Sequence, residues 1–294
     1  MTNWKNWRRI SRRANGALGM LVIMLGTGCG STEEPKPTPS AAEIEAAAVE
    51  SAVNLCMDTL HGKVELRPEA IDELLAVTET YPNNARAHYF LGMCSLASFV
   101  EDGSLAGRGR VEPALARAVE LDPTITNAVG NLALSRFNAA LFLKNQSNID
   151  AATQELIAVA DADIFNTFVL AFGLMQLGRD TPYPQMAADR LDAYDAECSM
   201  HEYCRNSEIV PHHDAGLFMH SGDAHVRIGN QAKADDYYQK ALIADGADTW
   251  LFLDEAKVWA AGAAERIALH ADADPTNDPP MFLSGKRACR TCHQ

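Results

Sequence analysis

The chain has 294 residues, 47% apolar and 22% charged, which excludes a disordered polymer; a mean hydropathy of −0.15 excludes a polytopic membrane protein. With 39 acidic against 25 basic residues the formal charge is −14, so nucleic-acid phosphates would be repelled and no nucleic-acid partner is expected. Aromatics make up only 7% while alanine is plentiful, which favours closely packed helices over stacked sheets.

Residues 1–28 differ in kind from the rest of the chain. Lys5, Arg8, Arg9, Arg12 and Arg13 are all positive, and the first acidic residue is Glu33. An apolar run at residues 17–25 ends in Gly26-Thr27-Gly28-Cys29. A basic head, a short apolar segment and small residues at its end make an export signal, and the run is too short to span a bilayer stably. The small residues before Cys29 resemble the lipobox of bacterial lipoproteins, although Leu25 sits one place further from the cysteine than the usual pattern. The resemblance implies acylation of Cys29 as the new N-terminus, with a lipid anchor in the membrane. Plain secretion and a retained anchor are the other readings. Losing the leader leaves 20 basic residues against 39 acidic ones, a net charge of −19. Residues 29–40, rich in proline and polar side chains, read as a flexible tether.

From residue 41 to 270 the pattern is helical, with apolar residues at three- and four-residue spacing and prolines mainly at segment boundaries. Residues 41–60 with 68–81 make a first helix pair, and residues 84–95 with 114–123 a second. Residues 127–142 with 150–160 make a third pair, and 165–177 with 184–194 a fourth. The stretches 100–110 and 144–149 read as inserts, the first a glycine-rich loop. Residues 213–246 make the cleanest pair, and residues 250–270 a last, solvated capping helix.

Phe218, Ser221, Gly222, His225, Ala234, Tyr238 and Ala241 resemble the packing positions of a tetratricopeptide repeat. Residues 84–95 and 114–123 resemble its first and closing helices. The resemblance implies an all-α fold, an α-solenoid of stacked helical hairpins. It also implies a concave groove for peptides or partner proteins, and no catalysis. First-helix residues would line the groove, among them Asn84, His88, Asn131 and Arg136. First helices of adjacent units would be neighbours, so Cys56 and Cys94 could form a bridge, or stand as two buried unpaired thiols.

Cys198 and Cys204 are close enough in sequence to close a small disulfide ring, and an oxidising compartment favours that pairing. With His201 between them they could instead seat zinc; His212, His213, His220 and His225 lie further along. The chain closes on Cys289-Arg-Thr-Cys292-His293-Gln294. Cys-x-x-Cys-His is the attachment pattern of c-type haem: two thiols bond the haem vinyl groups and the histidine ligates the iron. Met281, His270 or His212 are candidates for the second axial ligand. A Cys289–Cys292 disulfide and a metal-binding tail are the competing readings. The motif lies on a tail, residues 271–294, that holds Pro275, Pro279 and Pro280.

No nucleophile elbow, phosphate loop or zinc-protease helix occurs, so no enzyme is expected. The sequence reads as a lipid-anchored, periplasm-facing interaction scaffold of the bacterial envelope, its partner an envelope protein or peptide. Gly30 after Cys29 favours the outer membrane. The alternative is an electron-transfer protein carrying one covalent haem c on Cys289, Cys292 and His293.

Overall fold

The computed structural model describes residues 38–60, 68–102, 105–199, 213–250, 252–272 and 274–282. The leader with Cys29, Cys204 with its loop histidines, and Cys289, Cys292 and His293 all lie outside the described residues, as does the side chain of Cys198. The described residues form twelve α-helices and no strand, an all-α fold. They are α1 (Ala41–Leu60), α2 (Pro68–Thr80), α3 (Ala85–Asp102), α4 (Leu105–Leu121), α5 (Thr126–Leu143) and α6 (Gln146–Ala162). Then come α7 (Thr167–Leu174), α8 (Tyr183–Ser199), α9 (His213–Arg227), α10 (Gln231–Ile243), α11 (Leu253–Ala261) and α12 (Ala263–Ala271). Among them no helix is long and apolar enough to cross a membrane.

Local chemistry sets the helix starts. Ser40 and Glu43 cap α1 reciprocally: the Glu43 amide donates to the Ser40 hydroxyl at 3.3 Å, and the Glu43 carboxylate accepts from the Ser40 amide at 2.8 Å. Asn84, Asn145 and Asn230 each accept an amide from the first turn of the next helix, beginning α3, α6 and α10.

Consecutive helices pack as pairs, α3 on α4, α5 on α6, α7 on α8 and α9 on α10. A three-residue turn carrying Gly229 at φ +77° folds α10 back along α9. Where these two cross, a Cβ on Gly222 would stand 2.4 Å from the Tyr238 ring, so glycine leaves the space that the ring fills.

The pairs are laced to one another on two sides. The first members connect in succession. Glu45 and Glu50 of α1 accept from Asn84 at 2.9 Å and from Arg86 of α3 at 2.5 Å. Tyr89 of α3 is hydrogen-bonded to Asn127 of α5, Asn138 of α5 accepts from Gln176 after α7 at 3.2 Å, and His220 of α9 lies 4.5 Å from the Phe168 ring of α7. The second members connect likewise: Arg190 of α8 pairs with Asp161 of α6, and Asp192 of α8 accepts from Lys233 and Tyr237 of α10 at 2.5 and 2.7 Å. The buried apolar residues form two clusters meeting inside α5, where Leu132 belongs to the first and Ala133, Leu134 and Phe137 to the second.

Several boundaries differ from the expectation. The stretch read as a glycine-rich insert is mostly helix, because α4 starts at Leu105 and runs through Gly107 and Gly109. Pro113 lies inside this helix, where it cannot donate to the carbonyl of Gly109. The second insert shrinks to a two-residue turn, with Lys144 at φ 52° and Asn145 capping α6. The expected capping helix is broken at Gly262 into α11 and α12. Its inner side is packed rather than solvated, with Ala256, Ala263 and Arg266 buried.

Candidate functional site

The chain beyond α12 does not leave the body at once. Met281 and Phe282 are buried, and the Phe282 ring lies 5.7 Å from both Trp250 and Trp259. What holds it is Asp223 of α9, only 6% exposed. Its Oδ1 accepts from the Tyr238 hydroxyl at 2.6 Å and from the Trp259 indole at 2.7 Å, and its Oδ2 accepts from the Phe282 amide at 2.5 Å. Arg266 of α12 completes the network, donating to the Tyr238 oxygen at 2.8 Å and to the Trp259 carbonyl at 2.5 Å while lying over the Trp259 ring. Burial raises the Asp223 carboxyl above its usual range, although three donors and Arg266 pull the other way. One carboxylate thus joins α9, α10, α11 and the segment leading to residues 283–294.

Beside this latch is a cleft of about 710 Å³, between the end of α7, the end of α9 and the returning tail. Met175, Arg179, Arg227, Asp278 and Met281 line it. Arg179 is fully engaged, pairing with Asp278 at 3.0 Å and Asp272 at 3.7 Å and donating to the Leu269 and His270 carbonyls. Arg227 is not: its Nη2 donates to the Leu177 carbonyl at 3.2 Å, and its buried Nε has no hydrogen-bond partner among the described residues. His270 stands 3.4 Å from Asp278. Burial first, and then the Arg227 charge, hold its imidazole below the usual range.

The residues expected to line a groove fall at several places. Asn84 caps α3 and reaches Glu45 of α1. His88 is on the same helix, its Nε2 3.1 Å from the Pro82 carbonyl. Arg136 pairs with Glu112 of α4 at 3.2 Å and Glu155 of α6 at 2.6 Å, tying second helices to α5. Asn131 is 2% exposed and donates to the Asn127 carbonyl, so it presents no surface to a partner. Of the two readings of Cys56 and Cys94, the structure contains the bridge, with Cα atoms 6.0 Å apart. It joins α1 to α3.

The helical histidines also have distinct surroundings. His225 is buried against Tyr237, its Nε2 3.0 Å from Asp192. Burial alone would raise Asp192, but donors from Lys233, Tyr237 and His225 outweigh it and hold the carboxyl below its usual range. His220 is wholly buried between Phe168 and Phe172, and neither ring nitrogen has a hydrogen-bond partner among the described residues. Among those residues no group of three or more His, Cys, Asp or Glu side chains converges on a metal position.

Burial alone pushes the His220 imidazole down to about 3. The unfolded chain takes up a proton near pH 6.5 that the folded chain refuses, so stability falls as pH drops through 6.5 towards 3. Between pH 7 and pH 5 this one group costs about 2 kcal/mol. His220→Phe should remove that slope and raise stability at pH 5, read from urea midpoints at both values. An unchanged slope would show that other groups govern acid sensitivity.

No protein-family model matches the chain, and no curated protein matches it in sequence.

Proposed function

We propose that the chain is a membrane-tethered, periplasm-facing scaffold of the bacterial envelope, whose stacked tetratricopeptide-like hairpins form a groove for a partner protein or peptide. The observation that carries this reading is the double lacing, first helix to first helix from α1 to α9 and second to second from α6 to α10. A solenoid requires that pattern, because each hairpin buries its faces only against its neighbours. Crossings built on glycine, Gly222 under Tyr238 and Gly92 under Leu115, support the repeat reading of the sequence. The tether rests on the leader and the small residues before Cys29. An outer-membrane address rests on Gly30.

Fractionation of cells tests the tether. The wild-type chain should sediment with membranes and Cys29→Ala should move to the soluble fraction with unchanged helical circular dichroism. Equal sedimentation of both would rule out the acylated cysteine.

A second reading adds one covalent haem c, bonded through Cys289 and Cys292 and ligated by His293. What supports it is the Cys-x-x-Cys-His spacing itself, which begins seven residues after the anchored Phe282. The haem would supply a one-electron couple. The protein would supply its place.

A further inference from the structure

Residues 274–282 form a strap that the body holds at two places. One hold is Arg179, which pairs with Asp278 at 3.0 Å. The other is the pocket that takes Phe282. Along the strap Asp274, Thr276, Asn277 and Pro280 are exposed, and only Met281 and Phe282 are buried. Asp278 has φ −54° and ψ 123°, and Pro279 and Pro280 after it favour an extended chain leading into the pocket.

The walls of the pocket are tied together without the strap. Asp223 Oδ1 fixes the Tyr238 hydroxyl and the Trp259 indole, and Arg266 donates to the Tyr238 oxygen and the Trp259 carbonyl. These bonds join α9, α10, α11 and α12 to one another. What the strap adds is one backbone N–H, donated by Phe282 to Asp223 Oδ2 at 2.5 Å, and one ring 5.7 Å from both Trp250 and Trp259. Neither is peculiar to this segment, since an extended chain offers such an amide wherever it carries an aromatic residue. An empty pocket would leave a buried carboxylate oxygen without this donor and the indoles without their aromatic neighbour, which favours refilling by a segment of the same chemistry.

We propose that this pocket is a peptide-binding site whose internal occupant is the segment 279–282. The partner it fits is an extended segment of another protein, with proline ahead of an aromatic residue whose amide is free to donate. The strap covers the pocket until such a segment displaces it. Being attached, the strap competes at an effective concentration on the order of millimolar, so a partner must bind tightly or be held nearby. The pocket needs neither the lipid tether nor the groove proposed above.

The test uses the full-length chain and a fluorescein-labelled Pro-Pro-Met-Phe-amide peptide, with binding read by anisotropy. Phe282→Asp sets a second carboxylate against the buried Asp223 and should expel the strap; circular dichroism checks that the helices remain. This variant should bind the peptide, and wild type should bind it about tenfold or more weaker because its own strap competes. Exchanging the peptide's phenylalanine for alanine should weaken binding by about tenfold or more. Equal binding by wild type and Phe282→Asp, equal binding of the two peptides, or no binding to a folded Phe282→Asp chain overturns the assignment. If Phe282→Asp does not fold, Arg179→Gln decides, since it removes the strap's other hold and leaves Phe282 in place. It should bind the peptide more tightly than wild type does, and equal affinity overturns the proposal. A failure here leaves the tether and the groove to their own tests.

Discussion

Asp223→Ala should cost about 3–5 kcal/mol, because it leaves Arg266 buried without its counter-charge and strands donors that Asp223 satisfied. The Trp259 indole and the Phe282 amide both lose their acceptor, and the Tyr238 hydroxyl loses one of its partners. The effect should be larger than the loss of packing alone, since alanine at this helical position fits without strain. Asp223→Asn keeps the shape and one good acceptor and should cost less, roughly 1–2 kcal/mol. The second readout is local. In a chain lacking residues 1–28 only two of the four tryptophans remain, Trp250 and Trp259, and the Phe282 ring touches both. Release of the tail should therefore shift tryptophan emission to the red in Asp223→Ala. Unchanged emission with unchanged stability would mean that the tail is held by something other than this carboxylate.

Reduction of the Cys56–Cys94 bridge should cost about 4 kcal/mol, the chain-entropy value for a closed loop of this length; the two cysteines are 38 residues apart in sequence. The bridge also joins α1 to α3 across a core of Val53, Leu74, Leu91 and Leu115, so its loss acts on one end of the body. Because contacts run between neighbouring helix pairs, the destabilisation should be graded along the chain. Amide exchange should accelerate most in α1 and α2 and least in α9 and α10. Uniform acceleration throughout would show that the helices unfold as one unit.

Much of this architecture was legible because it rests on short-range patterns. Alanine and leucine at helical spacing mark most helices, and Gly92 and Gly222 mark two crossings where Leu115 and Tyr238 fill the space opposite. The Cys56–Cys94 pairing was open in sequence and needed the adjacency of α1 and α3 to decide it. The start of α4 was hidden, since three glycines between residues 103 and 109 argue for a loop while tertiary packing on α3 extends the helix. The latch was not legible at all. Asp223 looks like any polar residue on a helix, and its partners Trp259 and Phe282 lie 36 and 59 residues away. Arg227 was missed for the same reason: a basic residue in the last turn of a helix is ordinary, and its half-buried place beside Arg179 depends on the tail that returns to the end of α9. The expectation that Asn131 lines a surface did not allow for its burial, since its side chain turns back to the Asn127 carbonyl rather than outward.

The most direct test of the scaffold is to ask whether the first-helix side holds a partner in the living cell. A photoactivatable cross-linking residue placed at His88 on α3, and separately at Asn138 on α5, samples the side where α1, α3, α5 and α7 connect; one at Val258 on α11, 76% exposed, samples a surface away from that side. The account predicts a discrete cross-linked species of the same partner mass from His88 and Asn138, and none from Val258. Equal cross-linking at all three positions, or none at His88 and Asn138 in cells that express the protein in the membrane, would contradict it.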